Sequence, residues 1–142
     1  ARARDGAPWQ PLLVIVGAGL WELKAEVARQ RLGASLGVLR VAVDAAGRNP
    51  VATLYWLPMG GVIWDMLVPA RQTITNKNIS WVDNEARVHL GEKLTFLEQV
   101  IAIYNGTGPE GTKDGLHYDA KVQRAIWEVV MGHYCQKRPR RG

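Results

Sequence analysis

Asp114 and His117, in the stretch Lys113-Asp114-Gly115-Leu116-His117, are the pair of residues in this chain best placed to do chemistry. An Asp-x-x-His turn can aim a carboxylate and an imidazole at one point. The carboxylate then fixes the tautomer and orientation of the ring, and the other ring nitrogen takes a proton from a nucleophile. The same five residues also read as plain loop chemistry, an Asp-Gly turn ahead of a helix start. The surrounding elements decide between the two.

A second candidate is Gly17-Ala18-Gly19, which closes the apolar run Leu12-Leu13-Val14-Ile15-Val16. With Asp44 near the end of a possible next strand, it has the outline of a nucleotide or S-adenosylmethionine site. Glycines would let the backbone approach the ligand and a carboxylate would take the ribose. The third glycine is absent: Leu20-Trp21-Glu22 follows, with an indole where close helix packing needs a small residue. The simpler alternative is a strand-to-helix turn. His89 and His133 lie at the edges of predicted helices and make no metal-ligand spacing, so no metal site is expected. The serines, Ser35 and Ser80, both fall within predicted helices, away from the sharp strand-to-helix turn that usually presents a nucleophile. Asn78-Ile79-Ser80 and Asn105-Gly106-Thr107 are N-glycosylation acceptors should the chain enter a secretory pathway.

At 142 residues, 47% hydrophobic and 22% charged, the chain is expected to fold as one domain with a real core. A single cysteine, Cys135, excludes an internal disulfide framework and a multi-cysteine zinc site. The net charge of +5 collects at the ends, in Arg2 and Arg4 and in Lys137, Arg138, Arg140 and Arg141. The body is close to neutral, which argues against a nucleic-acid interface. The best apolar run, Pro11 to Leu20, is about half the length a bilayer needs, so a membrane is expected only through segments outside this chain. The opening lacks an initiator Met and a signal-peptide pattern, and reads as a cut.

The elements that must position these residues follow from periodicity. Residues 1–10 read as an irregular lead-in, 11–137 as the domain and 138–142 as a basic tail. Leu12 to Val16 suits a strand buried on both faces of a parallel sheet. From Trp21, apolar residues recur at three- and four-residue spacing through Val43, which predicts one long helix ending near Ala46-Gly47. The competing reading breaks that helix at Gly33 or Gly37 and makes Val38 to Val43 a strand beside residues 12–16. Val51 to Leu57 predicts a second strand. Thr75 can cap a helix from Asn76 to Leu90 with Ile79, Val82 and Ala86 facing inward. Leu94 to Leu97 predicts a third strand, and Val100 to Tyr104 is of open type. Asp119 can cap a final helix with Val122, Ile126, Val129 and Val130 on one face. This order points to an α/β layered fold, in which sites gather at the carboxyl ends of the strands.

Asp114-Gly115-Leu116-His117 followed by a helix ending Gly132-His133-Tyr134-Cys135-Gln136-Lys137 resembles the final block of SGNH (GDSL-type) esterases. It is most similar to the PC-esterase branch, the luminal catalytic domain of sialic-acid and fungal-capsule O-acetyltransferases. Leu67 to Asn76, with Asp83-Asn84-Glu85-Ala86, resembles that family's segment after a central strand. Val14 to Trp21 resembles its strand ending in glycine and tryptophan. The three matches come in the family's order and span most of residues 11–137.

The resemblance implies a three-layer α/β fold, a parallel sheet flanked by helices with its N-terminal part missing, and a Ser-His-Asp mechanism on a glycan hydroxyl. His117 would be the general base and Asp114 its orienting partner. Gly17, Gly19 and Trp21 would border the oxyanion pocket. It implies no bound cofactor, acetyl-CoA as the acyl donor of a full-length protein, and a Golgi-lumen or extracellular setting. Two departures stand out. The family's Gly-Asp-Ser block has no counterpart, since Asp5-Gly6-Ala7 carries no serine, and Gly17-Ala18-Gly19 stands where many members carry an oxyanion-hole asparagine. The chain therefore reads as a fragment of such an enzyme, or as a degenerate copy serving as a binding or structural module, with the missing N-terminal segment or other subunits of an assembly as the expected partners.

Overall fold

The computed structural model describes residues 12–17, 23 and 26–137. Three parallel strands form one sheet in the order β1 (Leu12–Val16), β2 (Ala52–Trp56), β3 (Thr95–Phe96). Between them run α1 (Glu26–Gly47) and α2 (Asn76–Leu90), followed after β3 by α3 (Gln99–Asn105) and α4 (Ala120–Lys137). In the parallel register Leu12 lies opposite Ala52 and Val16 opposite Trp56, while Tyr55 and Trp56 of β2 meet Thr95 and Phe96 of β3.

Side chains alternate across a strand, and here each face of the sheet has its own core. Val16, Leu54, Trp56 and Phe96 pack with Leu32, Leu36 and Val43 of α1 and Ile79, Val82, Ala86 and Leu90 of α2. Leu13, Ile15, Tyr55 and Leu57 pack with Val100 of α3 and Val122, Ile126, Val130 and Tyr134 of α4. The architecture is α/β, with helices on both faces of a three-stranded parallel sheet. Among the described residues no helix is long and apolar enough to cross a membrane.

The caps work as their chemistry predicts. The Thr75 hydroxyl accepts from the Asn78 N–H at 3.2 Å and starts α2. The Asp119 carboxylate accepts from the Val122 N–H at 2.9 Å at the head of α4. The segment of open type, Val100 to Tyr104, falls within α3.

The strand expected under the nucleotide reading is not formed. Residues 38–43 belong to α1, and the neighbour of β1 is β2. Val38 and Val41, the β-branched residues that suggested a strand, are 75% and 71% exposed on the outer face of the helix. Asp44 lies near the carboxyl end of α1, close to Arg40 at 4.0 Å and Lys93 at 3.7 Å. Because α1 runs antiparallel to the strands it joins, Asp44 sits at the amino end of the sheet and Gly17 at the carboxyl end. They do not share a ligand.

The carboxyl end of β2 is fastened by a buried carboxylate. The Trp56 indole N–H donates to Asp83 on α2 at 2.9 Å, with both side chains inside the core. Burial lifts the Asp83 carboxyl above its ordinary range, while the Trp56 indole, the Met59 main chain and Arg87 pull it back down. The loop beyond is held from two sides. The Asn76 amide bridges the N–H and C=O of Val62 at 2.7 and 3.3 Å, and the Tyr118 hydroxyl donates to the Gly61 carbonyl.

Residues 112–118 then fold over this loop. Thr112 and Tyr118 form an isolated antiparallel bridge, and the Ile63 N–H donates to the Gly115 carbonyl at 3.0 Å. Gly115 has φ of +75°, and a Cβ there would lie 2.4 Å from the Ile63 carbonyl oxygen. Both facts require glycine. Gly37, exposed in the middle of α1, has nothing within 4 Å of a Cβ, so its glycine costs helix stability for no packing gain.

The two glycines are expected to respond with opposite signs in urea unfolding. Gly37→Ala should stabilise by about 0.5–1 kcal/mol. Gly115→Ala should cost roughly 1–3 kcal/mol. Trp56→Phe removes the donor to Asp83 and should destabilise by roughly 1–3 kcal/mol near neutral pH. Losing that donor raises the folded-state Asp83 pKa further, and an acid with a raised folded pKa loses stability as pH climbs through it. The Trp56→Phe deficit should therefore shrink as pH falls towards the ordinary carboxylate value of 3.8, as unfolding curves at acid and neutral pH would record.

Candidate active site

The aspartate and histidine three residues apart meet. His117 Nδ1 lies 2.8 Å from Asp114 Oδ2. The other oxygen of Asp114, Oδ1, accepts from the main-chain N–H of Leu116 at 3.1 Å and of His117 at 2.8 Å. These two bonds make an Asx turn, and Gly115 supplies the left-handed residue at its corner. The main chain of the turn thus aims the carboxylate, and the carboxylate aims the ring. The Leu116 side chain packs against the α1–α2 core, while Thr112 Oγ1 donates to the His117 carbonyl at 2.9 Å.

The electrostatics follow from the same contacts. The main-chain N–H of His117 is the largest influence on Asp114, and with the imidazole and the Leu116 N–H it holds the carboxyl well below the usual range. The Asp114 side chain is 32% exposed and that of His117 is 67% exposed. His117 Nε2 has no hydrogen-bond partner among the described residues. With Nδ1 facing a carboxylate that stays ionised, the neutral ring carries its proton on Nδ1 and leaves Nε2 as an outward acceptor. Chemically the arrangement can accept one proton from an approaching hydroxyl and return it.

A third side chain completes the cluster. Arg71 Nη1 donates to Asp114 Oδ2 at 2.9 Å, the same oxygen that faces the imidazole. Arg71 closes the 3-10 turn Pro69–Arg71, between the buried anchors Leu67 and Ile74. Its position in the matched stretch Leu67 to Asn76 gave it no role, and no local spacing pairs residues 43 apart. The signal open to sequence reading was an arginine directly after Val68-Pro69-Ala70, in a segment otherwise anchored by apolar residues.

The remaining site candidates are dispersed. Gly17 follows β1 at the carboxyl end of the sheet, with its Cβ position 3.4 Å from the Leu57 carbonyl oxygen. Gly19 and Trp21 lie outside the described residues. An apolar cleft of about 200 Å³ opens beside these strand ends, between Ile15 and Leu57 on one side and Ile126 and Trp127 of α4 on the other. A larger hollow of about 570 Å³ lies at the opposite, amino end among Asp44, Arg48, Glu92 and Lys93. His89 is on α2, 3.9 Å from Glu85, and His133 meets the Tyr55 ring edge-on at 6.3 Å. The Asn78 amide donates to the Thr73 carbonyl at 3.0 Å, whereas Asn105 ends α3 in an exposed position. Among the described residues no group of three or more His, Cys, Asp or Glu is arranged to hold a metal ion.

No protein-family model matches the chain, and no solved structure matches it. The chain is similar to the N-acetylneuraminate (7)9-O-acetyltransferase of Danio rerio. The two are 26% identical over 141 aligned residues, which cover 94% of this chain and 18% of that protein. The chain thus spans about a fifth of the curated relative it matches, and the likeness relates it to an acetyltransferase.

Proposed function

We propose that these residues form the His-Asp portion of an SGNH-type O-acetyltransferase or esterase domain acting on glycan hydroxyls. His117 is the general base and Asp114 its orienting partner. The observation that carries this reading is the 2.8 Å contact between Asp114 Oδ2 and His117 Nδ1, made by a carboxylate whose other oxygen is held by the turn. The relationship to an acetyltransferase supports the acyl group, and that relative's name supports an acidic sugar as acceptor.

In this reading His117 Nε2 removes the proton of a serine hydroxyl as it attacks the acyl carbonyl. The imidazolium then returns that proton to the leaving group, and the second half repeats the exchange with the sugar hydroxyl as nucleophile. The acyl donor is acetyl-CoA, a substrate rather than a resident group. Ser35 on α1 and Ser80 on α2 make no hydrogen bond to His117, so the nucleophile comes from sequence beyond these residues. Main-chain N–H groups near Gly17 serve the oxyanion. A secretory or Golgi lumen suits a glycan acceptor, and Asn105 is then the better exposed glycosylation acceptor.

The same serine placement favours a second reading, a noncatalytic module that keeps the dyad without the nucleophile. One experiment separates them. In the full-length protein, His117→Ala and Asp114→Asn are each expected to lower O-acetyl transfer from acetyl-CoA to a sialylated acceptor by roughly 10²–10⁴-fold, with folding unchanged. Transfer that persists at wild-type rates in both variants would establish the module reading instead.

A further inference from the structure

Two donors compete for one oxygen in this cluster. Asp114 Oδ2 faces His117 Nδ1 at 2.8 Å and Arg71 Nη1 at 2.9 Å, while Oδ1 takes two main-chain N–H groups. A carboxylate offers about four lone-pair directions. All four are filled, so Asp114 has no site left for a proton of its own. Arg71 does not belong to the turn. It reaches in from the β2–α2 connection, and its side chain is only 29% exposed. A guanidinium is permanently charged and presents donors in a fixed plane, which makes it a permanent claimant on that oxygen.

We propose that Arg71 is a positioning residue for the dyad. By donating to the oxygen that holds the imidazole, it draws off part of the carboxylate's charge and locks the carboxylate plane, which keeps His117 from becoming too strong a base. The inference rests on the catalytic reading of Asp114 and His117 for its purpose, but not for its measurement. An unshared aspartate beside a histidine stabilises the imidazolium and raises its pKa. A base that is already protonated near neutral pH cannot take a proton from a hydroxyl. Arg71 opposes this twice over, by competing for Oδ2 and by adding a positive charge next to the ring. The other charged groups on the elements around the turn include Lys113 on the turn itself, Asp65 on the 3-10 turn Trp64–Met66, Glu110 on the 3-10 turn Pro109–Gly111, Asp119 at the head of α4 and Lys121 in its first turn. Asp119 is engaged in capping, and the Lys113 main-chain N–H donates to the His117 carbonyl at 3.4 Å. The side chains of Lys113 and Asp65 make no hydrogen bond or ion pair to the Asp114 carboxylate or the His117 ring.

The test is a titration of the His117 imidazole by nuclear magnetic resonance in this chain, where ring nitrogen shifts report both pKa and tautomer. Arg71→Gln is expected to raise the His117 pKa by roughly half to one unit, with Nδ1 still protonated in the neutral ring. Arg71→Lys keeps the charge without the planar fork, and should bring the value most of the way back. In an Asp114→Asn background, Arg71→Gln should move His117 distinctly less, because the shared oxygen is gone. The Ile63 amide, bonded to the Gly115 carbonyl, checks that the turn is intact in each variant. A purely structural Arg71 would perturb stability and the turn amides while leaving the His117 pKa in place, and that result overturns the proposal. If Arg71→Gln does not fold, an Arg71→Lys chain whose His117 pKa equals that of Asp114→Asn overturns it as well. An inactive His117→Ala enzyme with an unmoved titration would sink this inference alone. A moved titration in an enzyme indifferent to His117 would sink the catalytic reading alone.

Discussion

The Asp114 carboxylate has four lone-pair directions and four N–H groups facing them, two from the main chain just after it and two from side chains. An ionised group that is only partly exposed keeps its charge cheaply when every acceptor direction is filled. The main-chain pair fixes the direction of the carboxylate with no side-chain entropy at stake. The imidazole is therefore oriented by an object that is itself rigid. A turn without glycine at residue 115 would close only under strain, because a side chain there would run into the Ile63 carbonyl.

The layers explain why the cluster sits where it does. In a sheet whose parallel strands alternate with helices, all strand-to-helix connections emerge at one end. The β2–α2 connection brings Ile63, Met66 and Arg71 to that end, and the segment between α3 and α4 returns to it with Asp114 and His117. The opposite end collects Asp44, Arg48, Glu92 and Lys93 in a charged, open hollow. The larger cavity is thus the less suited to proton transfer, since it places no imidazole against a carboxylate that the backbone has aimed.

Much of this was legible in the sequence, and the exceptions have physical causes. The apolar run at Leu12 to Val16, the Thr75 cap and the Asp119 cap each rest on a local rule, and each element formed close to its expected bounds. The α1 region was ambiguous because Val38 and Val41 prefer strands, yet they sit on the solvent face, where packing does not decide. Leu32, Leu36 and Val43 are buried at helical spacing and settle the matter. α3 could not be typed because seven residues carry too little periodicity. In the site, the Asp-x-x-His pair was readable because its geometry is local. Arg71 was not, because its partner is brought to it by the fold. Gly17 lies at the strand end as expected, but nothing in the described residues joins it to the dyad.

Residues 112–118 look like a surface loop in sequence, yet they are stitched to the β2–α2 connection. Thr112 bridges to Tyr118, the Ile63 N–H holds the Gly115 carbonyl, and the Tyr118 hydroxyl reaches the Gly61 carbonyl beyond β2. Loops ordinarily open at little free-energy cost, independently of the core. This one can open only by giving up contacts that also hold the connection between β2 and α2. Its opening is thus coupled to that of the connection that follows the central strand, and the turn that aims the imidazole moves with that connection.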